Sequence, residues 1–455
     1  MSWKTVQISS FLTERKGRFK PDEANQKQLK RIEKIDFTGN IHLAENKPTK
    51  TSMILVKKGD LVISGINADK GAISIYQEKE DVMATIHYSS YTFDSNQINI
   101  NYFKWFLKSK TFLKILKDQT RGGIKTELKP KRLLPLQIDL PDLKTQEAIL
   151  SKIEFIEKEY QTLLNELSGT ISYCKKLKQS ILQEAIQGKL TRDWRGRHPE
   201  LVSGSNSAAA RLENIKAEKA SLVKEKKIKK EKPLPPILKE EIPFELPEGW
   251  VWCRLGDLAH TITKGSSPKW QGVQYVDKGI LFITSENVGT NQILLKKKKF
   301  VEEKFNKIEP RSILEKGDVL TNIVGASIGR TAVWDKDFTA NINQAVCLIR
   351  YPDHYYRKDL LVNTLNSDFG IALMMDGQFD TGRGNLSLGA VSKFKIPFPP
   401  LEEQKAIVAK VEGLMEKCSV LEQQVTQSEQ HAQMLMQAVL KEAFQEKKQV
   451  VQVVN

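Results

Sequence analysis

Histidines and cysteines are the first residues to consider for chemistry in this chain. None of the six histidines stands in an HExxH arrangement or beside a serine or cysteine in a nucleophile motif. The four cysteines, Cys174, Cys253, Cys347 and Cys418, are scattered without CxxC spacing. A zinc knuckle or a disulfide framework is therefore not predicted. We expect no catalytic residue and no metal site in this chain.

Two short patterns imitate catalytic motifs. The run Gly325–Thr331 looks like a phosphate loop, but it is one residue too short and has Arg330 where the motif needs lysine. Asp118 with Glu127 and Lys129 imitates the acid, acid and base set of a metal nuclease. Chance easily produces that set in a chain that is 28% charged. Methyl transfer is not predicted either, because no Asn-Pro-Pro-aromatic motif and no glycine-rich cofactor loop after a first strand is found.

The net charge of the chain favours a polyanionic partner. Lys and Arg number 71 against 55 Asp and Glu, which gives a net charge of +16. Residues 1–140 have 25 basic and 15 acidic side chains, and residues 191–240 have 13 and 7. Nucleic acid is the first candidate for such a partner. Charge alone leaves open the alternative of a merely soluble basic protein.

Hydrophobic patterning argues against a membrane protein. No run approaches the ~18 consecutive apolar residues of a membrane span. The N-terminal residues lack the apolar core of a secretory signal, so we expect a cytoplasmic location and no membrane partner.

The chain is a tandem duplication. A shift of 258 residues aligns 141–187 with 399–445 without gaps, and 14 of 47 positions are identical. The same shift places Lys58-Gly59-Asp60 on Lys316-Gly317-Asp318 and Gly71 on Gly329. Each half is predicted to be a globular domain followed by a long helix.

The two helical segments carry apolar residues in alternating steps of four and three. Such heptads predict a coiled-coil seam, and the other copy supplies the partner helix. The alternative is two independent helices, each lying on its own domain. With both helices centred alike, position n should face about 588 − n, which sets Tyr160 against Ser428. The residues predicted to pack the helix pair are Ile149, Ile153, Ile156, Tyr160, Leu163, Leu167, Leu177, Ile181, Ile407, Val411, Leu414, Leu421, Val425, Leu435 and Val439.

The globular halves mix short strands with helices. In the second half, residues 279–283, 318–324, 331–334 and 344–349 are predicted strands. Helices are predicted at 358–375 and, in the first half, at 101–118. Between the halves, 191–242 combines a flexible start, a charged helix-prone run and Pro233, Pro235 and Pro236. Its basic run is either a solvated linker helix or an arm that touches nucleic acid or a partner subunit.

This layout resembles the specificity subunit of type I restriction-modification enzymes. The matching stretches include PFELPEGWVWCRLGDL (243–258), GILFITSENV (279–288), LEKGDVLTNIVGASIGRTAV (314–333) and IPFPPLEEQKAIVAKVE (396–412). LPDLKTQEAILSKIE (140–154) repeats the theme in the first half. The first half lacks a clear equivalent of GILFITSENV.

The resemblance implies an α+β fold with two tandem mixed α/β target recognition domains, separated by two long helices that form an antiparallel coiled coil. Each domain would read one part of a split target in double-stranded DNA. The helices would set the spacing and dock two methyltransferase subunits, with two restriction/translocase subunits completing the complex. This chain would bind no cofactor, and S-adenosylmethionine, ATP and Mg would belong to the partner subunits. The expected segments are recognition domain 1 (1–140), central spacer helix (141–190), basic and proline-rich arm (191–242), recognition domain 2 (243–398), distal spacer helix (399–447) and tail (448–455).

Candidate DNA-binding residues are polar or basic side chains on loops that can enter a groove. In the first domain they are Arg15, Lys16, Arg18, Lys20, Asn67, Lys70, Arg121 and Lys125. In the second domain they are Lys264, Ser266, Ser267, Lys269, Thr284, Ser285, Asn287, Arg330, Arg383 and Asn385. The alternative function is a self-sufficient DNA nuclease or methyltransferase whose active site the sequence does not reveal.

Overall fold

The protein is described by a computed structural model, which describes residues 3–45, 48–119, 127–201, 207–377 and 384–445. The chain forms two compact units. The first unit comprises Met1–Gly169 and Gln424–Asn455, and the second comprises Thr170–Gln423. Both boundaries fall inside long helices, so each unit contains part of each long helix. In the described residues, no helix is long and apolar enough to cross a membrane.

The helices and strands follow one another along the chain in two similar series. The strands are β1 (Lys4–Gln7), β2 (Leu12–Glu14), β3 (Arg18–Phe19), β4 (Arg31–Ile35), β5 (Ile41–Ala44), β6 (Met53–Val56), β7 (Leu61–Ser64), β8 (Ile73–Ile75), β9 (Val82–Thr85), β10 (Tyr88–Phe93), β11 (Gln137–Leu140), β12 (Val251–Arg254), β13 (Thr261–Lys264), β14 (Tyr275–Val276), β15 (Ile280–Ile283), β16 (Phe300–Val301), β17 (Val319–Asn322), β18 (Thr331–Val333), β19 (Ala340–Ile342), β20 (Val346–Arg350) and β21 (Lys395–Phe398). The α-helices are α1 (Pro21–Gln26), α2 (Ile100–Leu107), α3 (Lys110–Gln119), α4 (Pro130–Leu133), α5 (Leu143–Ile186), α6 (Arg192–Gly196), α7 (Ala208–Lys224), α8 (Leu255–Leu258), α9 (Lys304–Ile308), α10 (Lys358–Asn366), α11 (Asp368–Asp376), α12 (Leu388–Ser392) and α13 (Leu401–Ala443).

The two units have matching sheets. A four-stranded antiparallel sheet has the order β2-β10-β7-β8 in the first unit and β13-β20-β17-β18 in the second. The pairs β1–β11 and β12–β21 also correspond. A further sheet is β3-β6-β9-β4-β5 in the first unit and β14-β16-β15-β19 in the second. The mixed α+β class and the duplication predicted from the sequence are confirmed.

Strand β4 is the counterpart that the sequence of the first half conceals. It pairs in parallel with β9, as β15 pairs in parallel with β19. The segment Arg31–Ile35 has three charged and two apolar side chains, whereas Ile280–Ile283 is apolar throughout. The two segments therefore share a place in the fold without sharing a recognisable sequence.

Each predicted helix at 101–118 and 358–375 is in fact a pair of helices. Ser109 and Ser367, which the 258-residue shift superposes, lie at the two breaks. The Ser367 hydroxyl accepts a hydrogen bond from the Gly370 N–H, and the Ser109 hydroxyl accepts one from the Phe112 N–H. Serine favours such a capping position because its oxygen satisfies an N–H that the helix leaves free. The periodicity predicted the helices but not this interruption.

The two long helices pack antiparallel in each unit. In the first unit, the start of α5 and the end of α13 share one hydrophobic core, in which Ile153 lies with Met436 and Leu440. In the second unit, the end of α5 and the start of α13 do the same, through Ile181 and Ile407. The predicted antiparallel pair of long helices is confirmed.

The predicted seam is wrong at four leucines. The side chains of Leu163, Leu177, Leu421 and Leu435 are exposed by 38%, 50%, 39% and 64%. An α-helix drifts about 20° per heptad from a strict seven-residue repeat, so a fixed heptad does not stay on one face over helices of this length. The remaining predicted seam residues are buried or half-buried: Ile149, Ile153, Ile156, Tyr160, Leu167, Ile181, Ile407, Val411, Leu414, Val425 and Val439.

The predicted register of the helix pair is also wrong. The Lys178 ammonium lies 2.7 Å from the Glu422 carboxylate. Position n therefore faces about 600 − n in the second unit rather than 588 − n. Centring the two helices alike took no account of how the domains seat the helix ends.

The segment 207–241 is part of the second unit and not a solvated linker helix. Helix α7 buries Ala208, Leu212 and Ile215 against the core of that unit. The proline-rich stretch after it is held by the buried Arg254 side chain, which donates hydrogen bonds to the carbonyls of Pro235 and Pro236.

A buried glutamine ties the start of each long helix to its domain. Gln146 accepts a hydrogen bond from the Asn99 N–H and donates one to the Pro141 carbonyl. At the positions 258 residues later, Gln404 accepts from the Arg357 N–H and donates to the Pro399 carbonyl. Removing a buried partner costs more than a surface change, because the remaining polar groups stay desolvated.

We predict that Gln404→Ala lowers the free energy of unfolding by about 1–3 kcal/mol, because the Arg357 N–H and the Pro399 carbonyl lose their shared partner. Lys405→Ala is the control, because Lys405 is exposed and should change stability by no more than about 0.5 kcal/mol. Urea denaturation of the full chain measures both. Equal midpoints for the two variants would contradict the assigned role.

Candidate nucleic-acid interface

Most of the loops predicted to contact DNA in the second unit lie at one end of its four-stranded sheet. Strand β13 ends where β20 begins, since Lys264 pairs with Cys347. Strand β17 also ends at the start of β20, since Asn322 pairs with Val346. The loop after Lys264 and the β17–β18 turn therefore lie at the same end of this sheet.

Backbone contacts hold these loops close together. The Gly265 N–H donates to the Asn343 carbonyl, and the Asn343 N–H donates to the Ile283 carbonyl at the end of β15. A Cβ atom on Gly265 would lie 1.7 Å from the Ile342 carbonyl oxygen, so only glycine permits this approach. The buried Asn322 amide donates to the Ser285 carbonyl and joins the loop after β15 to the end of β17.

The β17–β18 turn is joined to the segment before α12 in a way that the first unit repeats. The Leu386 N–H donates to the Ile323 carbonyl, and Gly325 pairs with Gly384. In the first unit the Leu128 N–H donates to the Gly65 carbonyl. Leu128 and Leu386 are again 258 residues apart. Both units therefore join the loops at this end of the sheet with the same backbone hydrogen bond.

The described candidates in the second unit fall into two groups by exposure. Lys264, Lys269, Arg330 and Asn385 are exposed, and Ser266, Ser267 and Ser285 are half-buried. The Ser266 hydroxyl accepts a hydrogen bond from the Gln271 amide. Arg121, Lys125 and Arg383 lie outside the described residues. The exposed and half-buried residues stay candidates for DNA contact.

Thr284 and Asn287 are structural residues, and their prediction as DNA contacts is wrong. Both are buried. The Asn287 side-chain oxygen accepts from the Thr284 N–H and hydroxyl, while its amide donates to the carbonyls of Leu294 and Lys297. An asparagine whose donors and acceptor are used inside its own loop shapes that loop and does not read a base.

Arg15 in the first unit is also structural and not a free DNA contact. Its guanidinium forms a two-point ion pair with the Asp60 carboxylate, which is almost fully buried. The hydrogen bond to Asp60 raises the pKa of Arg15. The other described candidates there keep their access to solvent: Lys16, Arg18, Lys20 and Lys70 are exposed, and Asn67 is half-buried.

This ion pair explains the duplicated Lys-Gly-Asp motif. Asp60 accepts from the Lys57 N–H, and Asp318 accepts from the Glu315 N–H in the equivalent turn. Arg350 pairs with Asp318 as Arg15 pairs with Asp60, although Arg350 ends β20 whereas Arg15 follows β2. The carboxylate is repeated by sequence, but its arginine comes from different strands.

Sequence reasoning missed two features of the second unit. Lys296, Lys297, Lys298 and Lys299 are all exposed on the segment that Asn287 fastens. Trp270, in the loop between β13 and β14, and Tyr275, in β14, are exposed aromatic residues. The run of four lysines was a usable signal in the sequence, whereas the exposure of an aromatic residue was not.

The two catalytic imitations are accounted for by structure. Gly325–Thr331 is a turn between antiparallel strands, with Gly325 and Gly329 at positive φ. A phosphate loop instead leads into a helix, whose N–H groups hold the anion. The Glu127 carboxylate is paired with Lys129 at 3.0 Å and His87 at 3.2 Å. Across the described residues, no group of three or more His, Cys, Asp or Glu side chains is placed to hold a metal ion.

Comparison with known proteins shows what this chain is similar to. Residues 247–428 match the model of the type I restriction modification DNA specificity domain. The chain is 26% identical over 377 residues to the EcoAI specificity subunit of Escherichia coli, covering 72% of this chain and 61% of that one. It is 39% identical over 129 residues to the EcoEI specificity subunit of Escherichia coli, covering 28% of this chain and 20% of that one. The chain is therefore similar to type I restriction enzyme specificity subunits, and residues 247–428 match their DNA specificity domain.

Two solved structures share the fold along nearly the full chain. One comes from work on complex assembly and conformational transition of the type I R-M system, with a TM-score of 0.66, 17% identity and 98% of each chain covered. Another is the HsdS subunit from Thermoanaerobacter tengcongensis, with a TM-score of 0.50, 17% identity, and 97% and 96% of the two chains covered. The chain spans less than two thirds of the EcoAI and EcoEI specificity subunits.

We predict different losses for Arg15 and for its neighbours. Arg15→Ala leaves Asp60 as a buried unpaired charge and should lower stability by about 3 kcal/mol. Replacing Lys16, Arg18 and Lys20 together by Ala should keep stability and flatten the salt dependence of binding to duplex DNA, by about 0.9 in slope for each lost phosphate contact.

Thermal unfolding and fluorescence anisotropy at several salt concentrations measure these effects. The assignment of Arg15 is overturned if Arg15→Ala keeps full stability and flattens the salt slope instead.

Proposed function

We propose that this chain is the non-catalytic specificity subunit of a type I restriction-modification complex. Each of its two units reads one part of a split target in double-stranded DNA. The observation that carries the proposal is that both units join the loops at the same end of the four-stranded sheet. They do so with the same backbone hydrogen bond, at Gly65–Leu128 and Ile323–Leu386. Two readers in one chain are what a two-part target requires.

The side chains on the loops at this end of the sheet suit DNA. Lysine and arginine hold phosphates, while polar side chains on loops read base edges in a groove. The first unit presents Lys16, Arg18 and Lys20 next to the sheet, and the second presents Lys264 and Arg330. These loops are held by buried residues such as Asn322, so the exposed side chains start from fixed positions.

The four exposed leucines of the two long helices support a docking role for these helices. Leu163 and Leu435 belong to the first unit, and Leu177 and Leu421 belong to the second. The 258-residue shift relates Leu163 to Leu421 and Leu177 to Leu435. In the second unit, Leu177 and Leu421 line one apolar groove with Tyr173 and Cys174. Exposed apolar side chains on a helix pair suit the apolar face of a partner helix.

Because the repeat relates the exposed leucines of the two units, each unit would offer one copy of the same partner an apolar face. We assign that partner as the methyltransferase subunit, with restriction/translocase subunits joining the complex. S-adenosylmethionine, ATP and Mg would then be bound by the partner subunits. The curated relatives are named as specificity subunits, which favours this division of labour over a self-sufficient enzyme.

Exchanging one reader tests the proposed function. Residues 207–398 should be replaced by the equivalent segment of a relative, since α7 and the proline-rich stretch pack with the second domain. Methylation mapping in cells that express the chimera with its partners should show one half of the target changed and the other half retained. Changes in both halves, or loss of methylation from an assembled complex, would contradict two independent readers.

Charging one apolar face should remove one partner copy. The double variant Leu177→Asp and Leu421→Asp should fold, because both side chains are exposed, and should bind one methyltransferase subunit where the wild-type chain binds two. Native mass spectrometry of the co-purified complex measures the ratio. Gln423→Asp, an exposed polar position on α13, is the control and should keep both copies. Retention of two copies by the leucine variant would show that the partners dock elsewhere.

A further inference from the structure

Trp270 is unlike the other tryptophans of the chain. All seven lie in the described residues, and Trp270 alone is largely exposed, with 76% of its surface accessible. Trp250 and Trp334, in the same unit, are buried. Burying an aromatic side chain of this size is strongly favourable, so a tryptophan held in water suggests a partner that covers it.

The loop around Trp270 is rigid, so the exposure is not that of a loose chain end. Pro268 and Val273 are buried on either side of the turn, and the Val273 N–H donates to the Pro268 carbonyl. Gly272 takes a positive φ of 64° and closes the turn. The Gln271 amide donates to the Ser266 hydroxyl and to the Glu309 carboxylate. The backbone therefore presents Trp270 outward in a fixed position.

The surroundings of Trp270 select the kind of partner. The turn begins at Ser267, three residues before Trp270. It belongs to the loop that follows β13, which ends at Lys264. Lys269 is its exposed neighbour, and Lys296–Lys299 and Arg330 extend the positive charge of this unit. A flat apolar ring beside an exposed lysine is suited to a base, which offers an aromatic face beside phosphate charge.

The geometry points to Trp270 as a wedge that inserts between bases of the DNA segment read by the second unit. This inference rests on the proposed function and deepens it. The indole has one N–H donor and no acceptor, so its main contribution is stacking, which is tolerant of base identity. Lys and Arg side chains would hold the phosphates, and the wedge would favour base steps that unstack easily. Specificity would then include positions without a hydrogen-bonded base.

The test compares full-length variants on DNA. The duplexes are one that carries the target mapped by methylation sequencing of the native host and one of scrambled sequence. Trp270→Ala should bind the target duplex about ten-fold more weakly or worse, as loss of a stacked base does, with an unchanged salt slope. Trp270→Phe should recover part of the affinity. Lys269→Ala should instead reduce the salt slope by about 1.

Phe338→Ala is the matched control. Phe338 is an exposed aromatic residue of the same unit. It follows β18, at the opposite end of the sheet from the predicted DNA-contact loops. Its removal should leave DNA binding unchanged. Target duplex should also quench tryptophan emission of the wild-type chain, and that part of the quenching should be absent in Trp270→Phe.

Two outcomes overturn the wedge while leaving the proposed function intact. One is wild-type affinity for the target duplex in Trp270→Ala. The other is loss of a protein partner by this variant with DNA binding preserved, which would place Trp270 in a protein interface. Failure of the wild-type chain to prefer the target over the scrambled duplex would instead contradict the proposed function itself.

Discussion

The structure depends on the burial of both long helices in the core of each unit. In the first unit, Phe444 near the end of α13 packs edge-on against Tyr102 and Phe106 of α2. In the second unit, Val411 of α13 shares a core with Ile181 of α5. The core of the first unit also contains Ile8, so residues far apart along the chain meet in it. Its apolar surface is covered only after α13 has been added.

The duplication is preserved most faithfully in buried polar contacts. Gln146 and Gln404 make the same pair of hydrogen bonds at the start of each long helix. Asp60 and Asp318 each accept hydrogen bonds from an arginine side chain and from a backbone N–H. A buried polar group without a partner costs more than a neutral surface change, so such contacts tolerate little substitution. The exposed loops carry no such constraint, and there the two units differ.

The same distinction separates scaffold from candidate contact among the predicted DNA residues. Arg15, Thr284 and Asn287 have the right chemistry for nucleic acid, yet their polar atoms are used inside the protein. Lys264 and Arg330 have no such role among the described contacts and face solvent. The chemistry of a side chain therefore decides what it can bind, and its internal partners decide whether it is free to do so.

Several features of this protein follow from the sequence by itself. The 258-residue repeat predicts two units, the heptads predict two long helices that pair, and the strand patterns place β15, β17, β18 and β20 within a few residues. These features depend on periodicity and internal similarity, which are local and need no knowledge of distant contacts.

Other features were decided only by tertiary structure. The outward position of Leu163 and Leu421, the register marked by Lys178 and Glu422, and the exposure of Trp270 all depend on which surfaces meet. The partner of Asp60 could not be read from the motif, because the arginine comes from a strand that differs between the two units. Sequence patterns state which side chains prefer burial, but limited space in each core decides which of them are buried.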